Sequence, residues 1–464
     1  MSTVPRRGRL TGGPDSDEMR HPPRPKSARK TAMTSIDRRR FLQGSALTAA
    51  AVATSGVAPT TRAAGPNDAL RVACVGVRGQ GMSHVGGYLD LPDARIVAVC
   101  DVDKNVIGRA MKAVTGKYGA GPKYYQDIRK LLDDKDVDAI SIATPNHWHA
   151  LATIWACQAD KDVYVEKPCS HNVVEGRRMV EAARKHNRIV QHGTQCRSNQ
   201  GMKDAMAFLH GGKLGNVYLA RGLCYRDRPS IGFQDDGQVP DGLDYDIWTG
   251  PADMRPFNAN RLHYNWHWFW NTGNGDLGNQ GIHQVDLARW GLNKNELPQR
   301  VLASGGRVGY KDQAETPNTL TVHWEFDDGV QFEFAVRGMA TNDELGAKVG
   351  VLFYGTEGVL AITSYTNWQS YLGPKMEKGP GGSGGGNHFR NFVDAVKARD
   401  PKVLNADIAE GHLSSAYMHM GNIAYRLGRK LTINGKTESF IGDSEADTML
   451  SRVYRKPYVV PDVV

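Results

Sequence analysis

The chain has 464 residues, 23% of them charged, with six cysteines and a formal net charge of +9. Residues 1–62 hold 12 Lys+Arg against 4 Asp+Glu, whereas the remaining 402 residues hold 46 against 45. A body this close to neutral has no general pull on phosphate backbones or anionic lipid, which excludes nucleic-acid binding as its main role. At about 150 residues per domain the length suits two or three domains with real cores.

Residues 1–32 are rich in Pro, Arg and Ser and show no hydrophobic periodicity, so they cannot bury enough surface to fold. Asp37-Arg38-Arg39-Arg40-Phe41-Leu42-Gln43 then precedes a weakly apolar run from Gly44 to Ala58. That run is too short and too diluted by Thr, Ser and Gly to anchor in a bilayer. With Ala63-Ala64-Gly65 behind it, the stretch resembles a twin-arginine export signal. The expectation is a disordered extension and signal over residues 1–64, a start at Met33, and delivery by the twin-arginine machinery to the periplasm. The six cysteines form no C-x-x-C pair and read as packing thiols, and no metal site is expected.

From Leu70 short apolar runs alternate with helical patterns. Leu70–Gly76, Arg95–Asp101, Asp138–Thr144 and Asp162–Glu166 read as strands, and their unbroken apolar character suits a sheet covered on both faces. The β-α alternation predicts a parallel, doubly wound domain over residues 65–192. Its first strand ends in Gly76-Val77-Arg78-Gly79-Gln80-Gly81, a turn whose glycines let backbone N–H groups approach a pyrophosphate at a helix N-terminus. Gly76 and Gly81 match the outer glycines of G-x-G-x-x-G, while Arg78 replaces the middle one and Gly79 follows it. Asp101 closes the second strand, where a carboxylate holds adenosine ribose hydroxyls and repels a 2′-phosphate, so NAD is favoured over NADP.

The third and fourth strands lead into Thr144-Pro145-Asn146-His147-Trp148-His149 and Glu166-Lys167-Pro168, at the carboxyl ends where open α/β sheets bind ligands. Lys167, taken alone, reads more readily as a surface lysine than as a catalytic one. Partial burial among cations would lower its pKa and let it relay an alcohol proton.

The glycine turn, Asp101, the T-P-N-x-x-H stretch and E-K-P, in this order, resemble the glucose–fructose oxidoreductase / inositol dehydrogenase / MocA family from about Leu70 to the C-terminus. The resemblance implies a Rossmann domain and a C-terminal α+β domain on a largely antiparallel open sheet, here residues 193–464. It implies Lys167 as the proton relay, with Thr144, Pro145, Asn146, His149 and Glu166 around the cofactor and substrate. It also implies a homo-oligomer paired through the exposed face of the second sheet. Family members usually carry an Asp four residues before a His; here His283 matches the histidine, but Asn279 stands in the acid's place. Asn cannot take up a proton, although it still hydrogen-bonds. Asp276 and Asp286 are the nearby acids that could compensate, and His283 also admits a purely structural reading.

The second half carries strand-like runs at Val217–Tyr225, Arg300–Val308, Leu320–Phe326, Val330–Val336 and Val349–Tyr354, with a hairpin signal at Asp327-Asp328-Gly329. One face of this sheet is expected to be covered by helices. Tyr264–Trp270 is dense in aromatics and suits either sugar stacking or a packed contact. Gly379–Gly386 reads as a flexible loop. Phe389, Phe392, Val393 and Val396 mark a helix expected to pack the second domain, and a longer one follows from Ile408. His388 and His412 read as structural.

These features together lead to an exported NAD-dependent oxidoreductase acting on a hydroxyl of a sugar, sugar derivative or cyclitol, with Lys167, His283 and Asn279 at the chemistry. The alternative is a redox-neutral NAD-dependent glycosidase working by transient oxidation and elimination. A binding protein without catalysis is the third reading.

Overall fold

The computed structural model describes residues 69–464, so the basic extension and the twin-arginine stretch lie outside the described residues. The first sheet contains β1 (Leu70–Val75), β2 (Ala94–Cys100), β3 (Lys123–Tyr125), β4 (Ala139–Ile142), β5 (Asp162–Val165) and β6 (Val190–His192). Its order is β3-β2-β1-β4-β5-β6, and every neighbouring pair is parallel. Helices α1 (Gly81–Leu89), α2 (Gly108–Tyr118), α3 (Ile128–Leu132), α4 (Asn146–Gln158) and α5 (Val173–Lys185) make the crossovers. The unbroken apolar strands are explained by burial on both faces. Ala73, Val75, Ile140 and Ile142 pack under Leu151, Ile154 and Met179 on one side. Val72, Cys74, Ile96 and Val99 pack under Val85, Tyr88 and Val114 on the other.

The second sheet has ten strands: β7 (Val217–Tyr225), β8 (Arg300–Gly306), β9 (Thr319–Glu325), β10 (Gln331–Arg337), β11 (Val349–Gly355), β12 (Gly358–Ile362), β13 (Asn367–Leu372), β14 (Glu377–Ser383), β15 (Leu431–Asn434) and β16 (Ser439–Phe440). β7 and β10 pair in parallel; the other pairs are antiparallel. Asp327-Asp328-Gly329 turns β9 into β10, with Gly329 at φ +81°. One face carries α6 (Gln200–His210), α8 (Gly275–Asn279) and α9 (Gly281–Gly291), while α7 (Tyr245–Thr249) places Ile247 in the core of the first domain. Of these, α6 and α9 bury Met206, Leu209, Ile282 and Val285 against Trp324, Phe332, Phe334 and Phe353.

Two expectations are corrected. The glycine-rich run is not a free loop, because β14 pairs along β13 as an edge strand. Its glycines are there for space: a Cβ at Gly379 would sit 2.7 Å from the Ser370 hydroxyl and one at Gly382 would sit 2.9 Å from the Trp368 indole nitrogen. Pro380 is tolerated because an edge strand leaves one side of its backbone unpaired. Second, α10 (His388–Ala398) packs on the first sheet, not the second. Phe392, Val393 and Val396 join the core of Val72, Ile96 and Val85, and Phe389 stacks on Tyr164 at 4.9 Å. An apolar stripe shows that a helix buries a face, but not which sheet receives it.

The 20-residue α11 (Ile408–Leu427) is capped by the Asp407 side chain, ends at left-handed Gly428, and ties the two sheets together. Its Ser415 hydroxyl accepts the backbone N–H of Cys169 at 3.2 Å, which fixes the segment just after β5. The chain then closes with α12 (Ser444–Thr448) and an extended tail that returns to the first domain, where Tyr458 and Val460 join its core. All six cysteines are free and buried.

Candidate functional site

The carboxyl ends of β1, β2, β4 and β5 open into a cavity of about 410 Å³, closed from the other side by residues 243–267 and Asn279. The glycine turn is its floor. Gly76 adopts φ +79°, and a Cβ there would lie 2.8 Å from the Ala143 carbonyl oxygen. A Cβ at Gly81 would lie 1.8 Å from the Gly76 oxygen, so α1 can approach the strand end only as glycine. Gly79, by contrast, has no atom within 4 Å of its Cβ position, which leaves open space over the turn. No hydrogen bond among the described residues uses the N–H groups of Arg78, Gly79, Gln80 or Gly81. This open cradle of unspent donors at a helix start fits a pyrophosphate. Gly76, Arg78, Gly79 and Gln80 line the cavity, with Arg78 exposed on its rim, while Gly81 stands behind them.

Asp101 lines the same cavity from the end of β2. Its Oδ2 accepts the Val77 N–H at 2.9 Å and its Oδ1 the Asp103 N–H at 3.1 Å, so the carboxylate is tied to the turn it serves. Burial pushes its pKa up to about 6 against these two donors. Thr144, Pro145, Asn146 and His149 line the wall as the motif implied. The His149 ring is held between two carbonyls, Pro168 O at 2.6 Å and Thr144 O at 2.8 Å, and so orients the loops of β4 and β5. Asn146 donates to the Asn274 side chain at 2.8 Å, joining the two domains at the cavity edge.

Glu166 is buried beneath the turn. It accepts hydrogen bonds from Gln195 at 2.9 Å, His84 at 3.1 Å, Gln80 at 3.2 Å and the Lys167 backbone at 3.1 Å. Burial opposes its charge, but the His84 hydrogen bond, with the charges of His84 and Lys167, keeps the carboxyl far below its ordinary value. Gln80, His84 and Gln195 escaped the motif reading. The available signal was His84 and Gln80 four residues apart at the start of α1, which puts both on one face.

Lys167 stands in the wall with its ammonium 2.8 Å from the backbone oxygen of Asn279. Burial lowers its pKa, Glu166 and Asp276 resist, and Arg228 and Arg226 add to the lowering. The structure therefore brings Lys167 and Asn279 together, but through the main chain. The Asn279 amide reaches Tyr264 Oη at 3.3 Å. Asp276 forms a two-pronged pair with Arg228 at 2.6 and 2.9 Å, and Arg228 also donates to Tyr264 Oη at 3.0 Å. Asp286 is elsewhere, in a buried set with Arg197 and Ser414 at 2.8 Å each. His283 is buried behind the wall, its ring 4.9 Å from that of Tyr365, and its Nδ1 has no partner. It is not among the residues lining the cavity. The aromatic run serves both readings: Trp266 and Trp268 are buried, while Tyr264, Trp266 and His267 present surface to the cavity. Ser198 and the His192 carbonyl hold His388, and Glu438 holds His412, as structural histidines. Among the described residues no group of three or more His, Cys, Asp or Glu is placed to hold a metal.

Two family models match: "Oxidoreductase family, NAD-binding Rossmann fold" over residues 70–194 and "Oxidoreductase family, C-terminal alpha/beta domain" over residues 233–460. The chain belongs to the Gfo/Idh/MocA oxidoreductase family. Among curated proteins it is 35% identical over 172 residues to glycosyl hydrolase family 109 protein 2 of Shewanella sp., covering 32% of this chain and 38% of that one. It is 32% identical over 158 residues to inositol 2-dehydrogenase of Salmonella typhimurium, covering 34% and 46%. The matches thus span less than half the length of these relatives. Among solved structures, the WlbA dehydrogenase of Chromobacterium violaceum in complex with NADH and UDP-GlcNAcA aligns with a TM-score of 0.61 at 19% identity, over 79% of this chain and 96% of that one. The aldose-aldose oxidoreductase of Caulobacter crescentus, complexed with glycerol, aligns at 0.58 and 19% identity over 79% and 100%. At these identities the two structures speak for the fold: a Rossmann domain followed by a largely antiparallel sheet.

Proposed function

We propose that this chain is an NAD-dependent oxidoreductase acting on a hydroxyl of a sugar, sugar derivative or cyclitol, with Lys167 as the proton relay. The observation that carries the reading is the Lys167 ammonium set in the wall of the same cavity as the open glycine turn and Asp101. The turn N–H groups would hold the pyrophosphate of NAD and Asp101 its adenosine ribose, and the cofactor bound there would supply hydride transfer. The remaining work falls to side chains. Lys167 gives one N–H to the Asn279 carbonyl, which leaves its nitrogen lone pair, in the neutral form that burial favours, for the substrate hydroxyl proton. Glu166, pinned by four donors, fixes the backbone that carries Lys167. Tyr264, Trp266 and Asn279 supply a surface with both polar and apolar character for a ring substrate. The test is reduction of NAD by a panel of aldoses and inositols: turnover that disappears in Lys167→Met supports the reading, and turnover unchanged in that variant removes it.

A second reading uses the same site for a closed redox cycle ending in glycosidic bond cleavage. The similarity to glycosyl hydrolase family 109 proteins and the replacement of an acid by Asn279 favour it. Its signature is release of sugar with no net change in nicotinamide absorbance.

Export through the twin-arginine route to the periplasm is part of the proposal, supported by Arg38-Arg39-Arg40-Phe41-Leu42 and the mild apolar run behind it. Arg39→Lys with Arg40→Lys should strand the precursor in the cytoplasm. Pairing into a homo-oligomer through the open face of the second sheet completes it, and light scattering of the purified protein reads that directly.

A further inference from the structure

Six acidic or histidine side chains line the cavity, and most have their acceptor atoms engaged. Asp101 is tied to Val77 and Asp103, Asp103 to Asn105 and Glu166 to its four donors, while the His149 ring is covered at both nitrogens by backbone carbonyls and offers neither to a ligand. His263 is on the side of Arg78 and Asp103, toward the adenosine end. His267 is different. Its Nδ1 is 2.5 Å from the Tyr264 carbonyl oxygen, and a carbonyl only accepts, so Nδ1 carries the proton and Nε2 keeps a bare lone pair. No hydrogen bond among the described residues uses that Nε2.

The fold holds this imidazole in place. Its ring stacks on Trp266 with centroids 3.6 Å apart. Gly273 passes directly beneath, and a Cβ there would meet the His267 Cα and carbonyl oxygen at 2.5 Å. Thr272 Oγ1 donates to the Trp266 carbonyl at 2.9 Å from the same turn. Burial, against the Tyr264 carbonyl bond and aided by the facing Lys167, Arg228 and His149, pushes its pKa down to about 3, so it stays neutral at working pH. Lys167 in its ammonium form only donates. The cavity therefore offers a donor group and an acceptor-only group in one wall.

We propose that His267 is a specificity residue whose Nε2 accepts a hydrogen bond from a substrate hydroxyl other than the one held at Lys167. The site then takes polyols with a free hydroxyl at that position and refuses those in which it is removed, O-methylated or oxidised to a carbonyl. The inference rests on the oxidoreductase reading above.

Two measurements test it on the full purified protein. In ¹⁵N-labelled protein, the His267 resonances should show the neutral Nδ1–H form across the range where exposed histidines titrate. An Nε2–H tautomer, or titration alongside the exposed histidines, overturns the proposal without any activity being measured. The second uses the best-oxidised member of the aldose and inositol panel and its monodeoxy and mono-O-methyl derivatives. Wild type should disfavour one derivative by about tenfold or more in kcat/KM. His267→Phe should lose that discrimination mainly through a raised KM for the parent polyol, and His267→Gln, whose amide oxygen still accepts, should restore part of it. A His267→Phe protein that discriminates like wild type overturns the inference alone. A Lys167→Met protein that still turns over would instead remove the reading beneath it.

Discussion

The Lys167 ammonium donates to the backbone carbonyl of Asn279 at 2.8 Å, so the residue standing where relatives usually carry an acid reaches the lysine without using its side chain. A main-chain oxygen cannot gain or lose a proton. It orients Lys167 while leaving its proton affinity to burial and to the neighbouring charges.

That relationship predicts an unusual outcome at position 279. Asn279→Ala keeps the carbonyl and loses the Tyr264 contact, so kcat/KM should fall less than about tenfold, near the value of one ordinary hydrogen bond. Asn279→Asp adds a negative charge beside the ammonium and raises its proton affinity. Hydroxyl oxidation needs the neutral amine. Its rate should therefore rise with pH through a midpoint below the ordinary lysine value in wild type, and the midpoint should move upward in Asn279→Asp. Profiles of kcat/KM against pH check both statements.

The glycine turn separates folding from cofactor binding. In Gly81→Ala the methyl meets a backbone oxygen at 1.8 Å, which cannot be relieved by a rotamer change. The variant should lose several degrees of Tm or fail to accumulate folded. Gly79→Ala meets nothing within 4 Å, so its Tm should match wild type. Its methyl fills the space over the turn, and the affinity for NAD should drop about tenfold, or 1.4 kcal/mol. Thermal melts and NAD titration of the two variants make the comparison.

Asp93 anchors α10 to the first sheet through Arg390 at 2.5 and 2.9 Å and Lys397 at 2.6 Å. The Arg390 hydrogen bond, ahead of Lys397, holds its carboxyl down at about 2. A depressed carboxylate stabilises the fold above the ordinary aspartate range and loses that contribution as pH falls toward about 2. With partial solvent screening, Asp93→Asn should cost about 1 kcal/mol at neutral pH. The difference from wild type in denaturant unfolding should vanish toward pH about 2.

Much of the first domain could be read from the residues because its determinants are local. The glycine turn, Asp101 and Lys167 each follow directly on a strand, and strand ends of a parallel sheet converge on one crevice. Five strands of the ten-stranded sheet, β7 to β11, were legible, since Phe332 and Phe334 alternate with Gln331 and Glu333, and Trp324 sits between the less buried His323 and Glu325. Three things were not. Glycine was taken as flexibility in β14, where it is closeness to Trp368 and Ser370 that requires it. The destination of α10 depends on chain geometry that an amphipathic stripe does not encode. The part played by Asn279 runs through its carbonyl, and a motif read as side chains is blind to that. His267 was equally hidden, because only its bond to the Tyr264 carbonyl leaves Nε2 as an unpaired acceptor.

The most direct test of the central claim is a single-turnover experiment on wild-type and Lys167→Met protein, each loaded with NAD and mixed with the aldose and inositol panel. The account predicts equal NAD binding by the two proteins. It also predicts reduced nicotinamide formed by wild type, with a rate about 100-fold or more lower in the variant, the usual size of a lost acid–base group. Equal rates in the two proteins, or bound NAD that no polyol in the panel reduces, would contradict it.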